Sequence, residues 1–190
     1  MTDPKSTPHF SQHGIQHGIT RFTDQDIYLY REGTHNRLFE KMGSHITSVN
    51  GVQGTYFAVW APNAKVVSVI GNFNGWNSQS HVLAVRWDSS GIWEGFVPGI
   101  GQGELYKYCI QSQHNGYQVD KIDPFVFFCE TPPKTASIVW DLTYTWNDQT
   151  WMRNRYQHNA LDKPMAIYEL HFGSWRRRTE DNNRDRKSVV

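Results

Sequence analysis

Residues 54–76 read G-T-Y-F-A-V-W-A-P-N-A-K-V-V-S-V-I-G-N-F-N-G-W. Two runs of aromatic and β-branched residues, 56–60 and 66–70, flank Ala61-Pro62-Asn63-Ala64-Lys65, whose Pro-Asn step favours a turn. The pattern predicts a strand, a turn and a strand. The second run stops at Gly71 and gives way to Asn72-Phe73-Asn74-Gly75-Trp76, where Asn-Gly supports a tight reversal that leaves Trp76 on or beside a loop. A large ring in that position has two readings: a binding surface, or a plug at the end of a sandwich core.

Further short strands are expected over 82–87, 92–97, 105–111, 125–129 and 136–140, with Trp140 in the core. Asp88-Ser89-Ser90-Gly91, Pro98-Gly99-Ile100-Gly101, Asn115-Gly116 and Thr131-Pro132-Pro133 separate them. About seven strands at this spacing predict an all-β, immunoglobulin-like β-sandwich over 51–142. The runs 56–60 and 125–128 are apolar on both faces, so something should cover the outside of one sheet. A preceding helix or a further domain would serve.

Thr23-Asp24-Gln25-Asp26 resembles a capping box, which predicts a short helix to about Glu32 that stops at Gly33. Residues 22–50 read as a helical preface whose Ile27, Leu29, Tyr30, Leu38, Phe39 and Met42 should pack on the sheet. Residues 1–21 read as a disordered arm broken by Pro4, Pro8, Gly14 and Gly18. His9, His13 and His17 recur every fourth residue there, but the glycines oppose the helix that would align them, so no metal site is expected.

Residues 143–164 form an aromatic, partly charged linker suited to packing across a surface, and 165–172 read as one more strand. The charged run 179–190 reads as a tail. With Lys and Arg at 19 against 18 for Asp and Glu, net charge is +1, which disfavours nucleic acid and membrane surfaces as partners. The 14% aromatic content, with eight Trp, exceeds the needs of one core and fits a second packing surface or planar ligands such as sugar rings. The absence of a leader-like or membrane-spanning run predicts a cytoplasmic chain, and Cys109 and Cys129, both in expected strands, should be buried free thiols. No cofactor is expected.

Y-L-Y-R-E-G-T-H at 28–35, F-A-V-W-A-P-N-A at 57–64, G-N-F-N-G-W at 71–76, Y-K-Y at 106–108, D-P-F at 123–125 and I-Y-E-L-H-F-G-S-W at 167–175 resemble the N-terminal part of bacterial 1,4-alpha-glucan (glycogen) branching enzymes. The resemblance runs from about Phe22 to Arg178. It implies an immunoglobulin-like carbohydrate-binding module ahead of a (β/α)8 barrel, with 165–178 holding the first barrel strand. It also implies that the catalytic aspartates and glutamate lie beyond Val190, so the chain reads as a truncated portion of an enzyme that moves α-1,4-glucan segments to O6 positions, inactive alone. A stand-alone glucan-binding or regulatory module is the alternative.

Glycosyl transfer with retention needs two carboxyl groups roughly 5 Å apart. Asp120 and Asp123 are the pair to consider, and Asp123 before Pro124 has a simpler role in starting a turn. Glu169 and His171 read as scaffold. The resemblance implies weak contact with α-glucan (glycogen or maltooligosaccharide) through Trp76, Lys107 and Tyr117, and the edge of the barrel strand predicts self-association.

Overall fold

Thr23 and Asp26 exchange hydrogen bonds across the start of α1 (Asp24–Glu32): Asp26 N donates to Thr23 Oγ1 at 3.2 Å and Thr23 N to Asp26 Oδ2 at 2.8 Å. Gly33 ends the helix at φ 71, a conformation that suits a residue without a Cβ. Both ends thus form where local chemistry dictates. The computed structural model describes residues 14–158, 160–171, 177–178 and 184–185. One compact unit runs to Thr143 and a second begins at Tyr144.

The first unit is a sandwich. One sheet has the order β1-β2-β5-β4, from β1 (Gly43–Val49), β2 (Val52–Trp60), β5 (Ile92–Pro98) and β4 (Ala84–Val85). The other joins β3 (Ala64–Gly71), β6 (Leu105–Ser112), β9 (Ser137–Ile138) and β8 (Phe128–Cys129), with β7 (Gln118–Lys121) also on β6. The turn at 61–63 therefore carries the chain from one sheet to the other, and β2 and β3 do not pair. Between the sheets Phe57, Val59, Trp93 and Val97 meet Val67, Val69, Tyr106 and Tyr108. On the outer face Tyr56, Ala58, Ile92 and Phe96 are covered by Phe22, Met42 and Ile27 of α1. That cover explains why β2 lacks polar alternation.

The structure corrects several expectations. Residues 43–49, read as helical preface, are β1, a strand specified by its ladder with β2. Residues 14–21 are not loose: Gln16 and Phe96 exchange backbone hydrogen bonds of 2.7 and 2.9 Å, covering the edge of β5 beyond β4. Residues 1–13, with His9 and His13, lie outside the described residues. The expected strand 82–87 switches sheets, with Val82 bridged to Ser68 and Ala84 paired with Glu94. Of 125–129 only Phe128 and Cys129 are laddered, because Asp123 draws Phe125 N to its side chain at 2.8 Å and Val126 N to its carbonyl at 3.2 Å. Trp140 is half-buried against Phe128, with ring centroids 4.7 Å apart, and the core indole is Trp93. Cys109 is a buried free thiol, but Cys129 is exposed.

A buried ionic cluster fastens the arm. Arg86 Nε donates to Asp88 Oδ2 at 2.9 Å and Arg86 Nη1 to Glu94 Oε1 at 2.7 Å. Glu94 Oε2 accepts from Thr20 Oγ1 at 2.8 Å and from the Tyr56 hydroxyl at 2.5 Å. Burial and the facing Glu94 carboxylate push the Tyr56 phenol well above its ordinary range.

The second unit contains α2 (Gln149–His158), exposed along its length, where the sequence suggested a packing linker. Residues 165–171 form no strand, and none of the ladders among the described residues includes them; a strand exists only through a neighbour. Phe172, the last residue of the expected strand, and residues 173–176 of the expected barrel segment lie outside the described residues. Two short strands pair with each other: β10 (Arg177–Arg178), at the end of the expected barrel segment, and β11 (Arg184–Asp185), in the expected tail.

Candidate functional site

After β3 the chain closes into a turn held by Asn74. Its Oδ1 accepts from Gly71 N at 3.0 Å, and its Nδ2 donates to Val69 O at 2.9 Å and to His81 Nδ1 at 3.0 Å. Gly71 cannot be replaced freely, since a Cβ there would lie 2.1 Å from the Leu105 carbonyl oxygen. Phe73 turns inward, 8% exposed, onto the edge of His81. Trp76 turns outward and is 39% exposed.

Two further features describe Trp76. Its φ is +60°, in the left-handed region that bulky side chains rarely enter. Its Nε1 also donates to Asn72 Oδ1 at 3.0 Å, which fixes the ring's orientation. Conformations of this kind cost about 1–3 kcal/mol and persist where the surroundings over-determine them.

Lys107 is half-buried on β6 opposite Ile70, one step from the Gly71–Tyr106 pair at the root of the turn. Its Nζ donates to Thr135 Oγ1 at 2.7 Å. Tyr106 and Tyr108 point into the core, so Lys107, Cys109 and Gln111 share the outer face. Gln111 and Cys109 face Gln118 and Asp120 of β7. Val66, Ser68, Ser78, Cys109, Gln111 and Gln118 are among the residues lining a groove of about 340 Å3 on this face. Burial, then the Asp120 carboxylate, push the Cys109 thiol up to about 11, so it remains protonated and inert.

Tyr117 is not part of this arrangement. The β6–β7 register continues from Gln111–Gln118 to Ser112, whose N–H donates to Tyr117 O at 2.7 Å. Tyr117 therefore lies five positions along β6 from Lys107, about 17 Å at the usual rise per residue. It is 62% exposed and shares a shallow groove of about 260 Å3 with Trp60, Pro62 and Lys121. The sequence reading missed Trp60, 54% exposed, as Tyr117's neighbour. An odd count in the hairpin is the signal that would have separated Tyr117 from the outer face.

The carboxylate candidates resolve simply. Asp123 is 1% exposed and accepts from the Tyr106 hydroxyl at 2.7 Å and the Tyr108 hydroxyl at 3.2 Å. Burial raises its carboxyl and these hydrogen bonds lower it, with the net shift upward. Asp120 is exposed on β7. Glu169 and His171 lie in the segment without a strand. Among the described residues no cluster of His, Cys, Asp and Glu could hold a metal ion, and no helix is long and apolar enough to cross a membrane.

Residues 41–126 match the family model of carbohydrate-binding module 48 (isoamylase N-terminal domain). The chain is 52% identical over 162 residues to the 1,4-alpha-glucan branching enzyme GlgB of Aquifex aeolicus, covering 85% of this chain and 25% of that protein. It is 56% identical over 155 residues to the same enzyme of Albidiferax ferrireducens, covering 82% and 24%. The chain thus spans about a quarter of the length of the curated relatives it matches. Among solved structures, ligand-free pullulanase from Klebsiella pneumoniae matches 53% of this chain and 10% of its own, at 23% identity and a TM-score of 0.41.

Proposed function

We propose, for a chain that corresponds to the N-terminal portion of bacterial 1,4-alpha-glucan branching enzymes and carries their immunoglobulin-like module, that the sandwich contacts α-glucan on behalf of a branching reaction. The contact is made at Trp76 and Lys107. The observation that carries this reading is the outward indole of Trp76, clamped by Asn72 and held at a φ that its side chain disfavours. A pyranose offers an apolar face to stack on that ring and hydroxyls for the Lys107 ammonium and the amides of Gln111 and Gln118. One ring on one sugar contributes about 1–2 kcal/mol, so affinity should fall between roughly micromolar and millimolar.

Contact is proposed without chemistry. Asp123 is committed to two tyrosines, which leaves the Asp120–Asp123 pair unfit to act as nucleophile and acid across a sugar. The described unit accordingly binds substrate for transfer performed elsewhere in a branching enzyme, and the chain alone should leave the iodine stain of amylose unchanged. A cytoplasmic setting suits the exposed free thiol of Cys129. Self-association through 165–171 completes the reading, since Met165 and Ile167 are 80% and 84% exposed.

Retardation in native gels containing glycogen tests the site. Trp76→Ala and Lys107→Ala should each reduce it, whereas Tyr117→Ala should not. Equal retardation of wild type and Trp76→Ala, both folded by circular dichroism, would reduce Trp76 to a packing residue.

A further inference from the structure

A second aromatic site lies on the other layer of the sandwich. The face of α1 that carries Asp24, Tyr28 and Arg31 opposes Trp87, Asp88 and Ser89 across a groove of about 460 Å3. Trp87 is 85% exposed and Tyr28 58%, so each wall presents a ring to solvent. Ile27 of α1 also lines the groove and is itself buried in the core beneath.

The walls are tied together. The Arg31 guanidinium donates to the Asp88 carbonyl oxygen. The Asp88 carboxylate is held by Arg86 Nε at 2.9 Å and by Ser90 N at 3.0 Å. Asp26, in the first turn of α1, is fixed by Thr23, by His35 at 3.0 Å and by Lys41 at 3.0 Å. Two rings are therefore displayed on a frame that need not order on binding.

The lining selects the ligand class. Two apolar ring faces stand beside the Asp24 carboxylate, the Arg31 guanidinium and the Ser89 hydroxyl. Asp24 and Asp88 stand with Arg31, and Arg86 pairs the Asp88 carboxylate, so both charge signs are present and no strong field of one sign selects an ion. A neutral molecule with flat C–H faces and a rim of hydroxyls satisfies every group, and pyranose rings have that form. We infer that the Tyr28–Trp87 groove is a second α-glucan site, independent of Trp76.

Its identity as a glucan site rests on the proposed function; its geometry does not. α1 covers the outer face of the β1-β2-β5-β4 sheet, whereas Trp76 follows β3 of the other sheet. One branched polymer can engage both layers, so two weak contacts would add as avidity.

The indole N–H resonances of Trp87 and Trp76 provide the test, each assigned by its loss in Trp87→Phe or Trp76→Phe. With the full chain and millimolar maltoheptaose, the Trp87 resonance should move in wild type and equally in Trp76→Ala. Trp87→Ala and Tyr28→Ala, both at solvent-facing positions, should each lower glycogen retardation at least about threefold without changing the circular dichroism. A Trp87 resonance that stays fixed while that of Trp76 moves overturns the second site and leaves the proposed function standing. If Trp87 moves and Trp76 does not, the groove holds and the Trp76 site fails. If neither moves, both are wrong.

Discussion

Trp76 donates its indole N–H to the Asn72 side-chain oxygen at 3.0 Å, so a ring at a left-handed backbone position is secured by a residue of its own turn. The same turn is braced from below by Asn74 and His81. The proposed sugar contact and the backbone strain sit on one residue, and substitution can separate them.

Trp76→Asn should reduce glycogen retardation while remaining within about 1 kcal/mol of wild-type stability, because asparagine tolerates the left-handed region and relief of strain offsets lost contact. Trp76→Val, β-branched and excluded from that region, should be less stable than Trp76→Asn by about 1–2 kcal/mol. Urea denaturation of both variants decides this. Equal stabilities would show that the turn is not left-handed at this position.

Arg86 is the second test, since its guanidinium is the counter-charge for two carboxylates with little exposure, at 7% for Asp88 and 12% for Glu94. Arg86→Ala strands both acids and should cost about 3–5 kcal/mol. Arg86→Met combined with Glu94→Leu should cost less than the sum of the two single changes, because Glu94 is then no longer a stranded charge and only Asp88 is left without its counter-charge. Additive losses in urea melts would mean that the cluster is not coupled.

Stability should decline in mild acid. Burial, then the positive charge of Arg21, lower His45 to about 4, and burial also lowers His81. Asn74 Nδ2 donates to His81 Nδ1, so the neutral ring carries its proton on Nε2 and a second proton at Nδ1 would break that hydrogen bond. Unfolded histidines take up protons as pH falls through about 6.5, whereas native His45 resists until about 4. The unfolded state binds more protons between those limits, so the stabilisation is full above about 6.5 and drains away as pH falls. A loss of about 2 kcal/mol from pH 7 to 4.5 is expected, reduced in His45→Phe. Asp26, whose carboxyl is held below its ordinary range by hydrogen bonds that outweigh burial, adds its own loss only in stronger acid. A flat profile between pH 7 and 4.5 would contradict these assignments.

The exposed run at 165–171 should drive concentration-dependent association. Light scattering on the full chain should show a larger mass than on Ile167→Lys, a change at an 84% exposed position. Identical masses across the concentration range would remove self-association from the proposal.

What could be read from the sequence followed how local the determining interactions were. Thr23, Asp26 and Gly33 specify α1 within ten residues of chain, and Asn72 to Trp76 specify their turn in the same way. β1 escaped because G-S-H-I-T-S-V becomes a strand only through its ladder to β2. The polar β7, Q-V-D-K, depends likewise on β6. Asp123 overrode the strand preference of the aromatic run after it by capturing Phe125 N. Tyr117 was misplaced for a related reason: its distance from the Asp-Pro step is legible, but its position along β6 depends on hairpin register. Trp87 looked like the end of a strand, and only the docking of α1 makes it one wall of a groove.

The central claim, that Trp76 meets α-glucan on this sandwich, is tested most directly by following its indole N–H resonance while maltoheptaose is added to the full chain. A saturable shift is expected, with a dissociation constant between roughly micromolar and millimolar, weakened in Lys107→Ala and unaltered in Tyr117→Ala. A Trp76 resonance that does not move in a chain shown to be folded, or one that moves less in Tyr117→Ala than in Lys107→Ala, would contradict it.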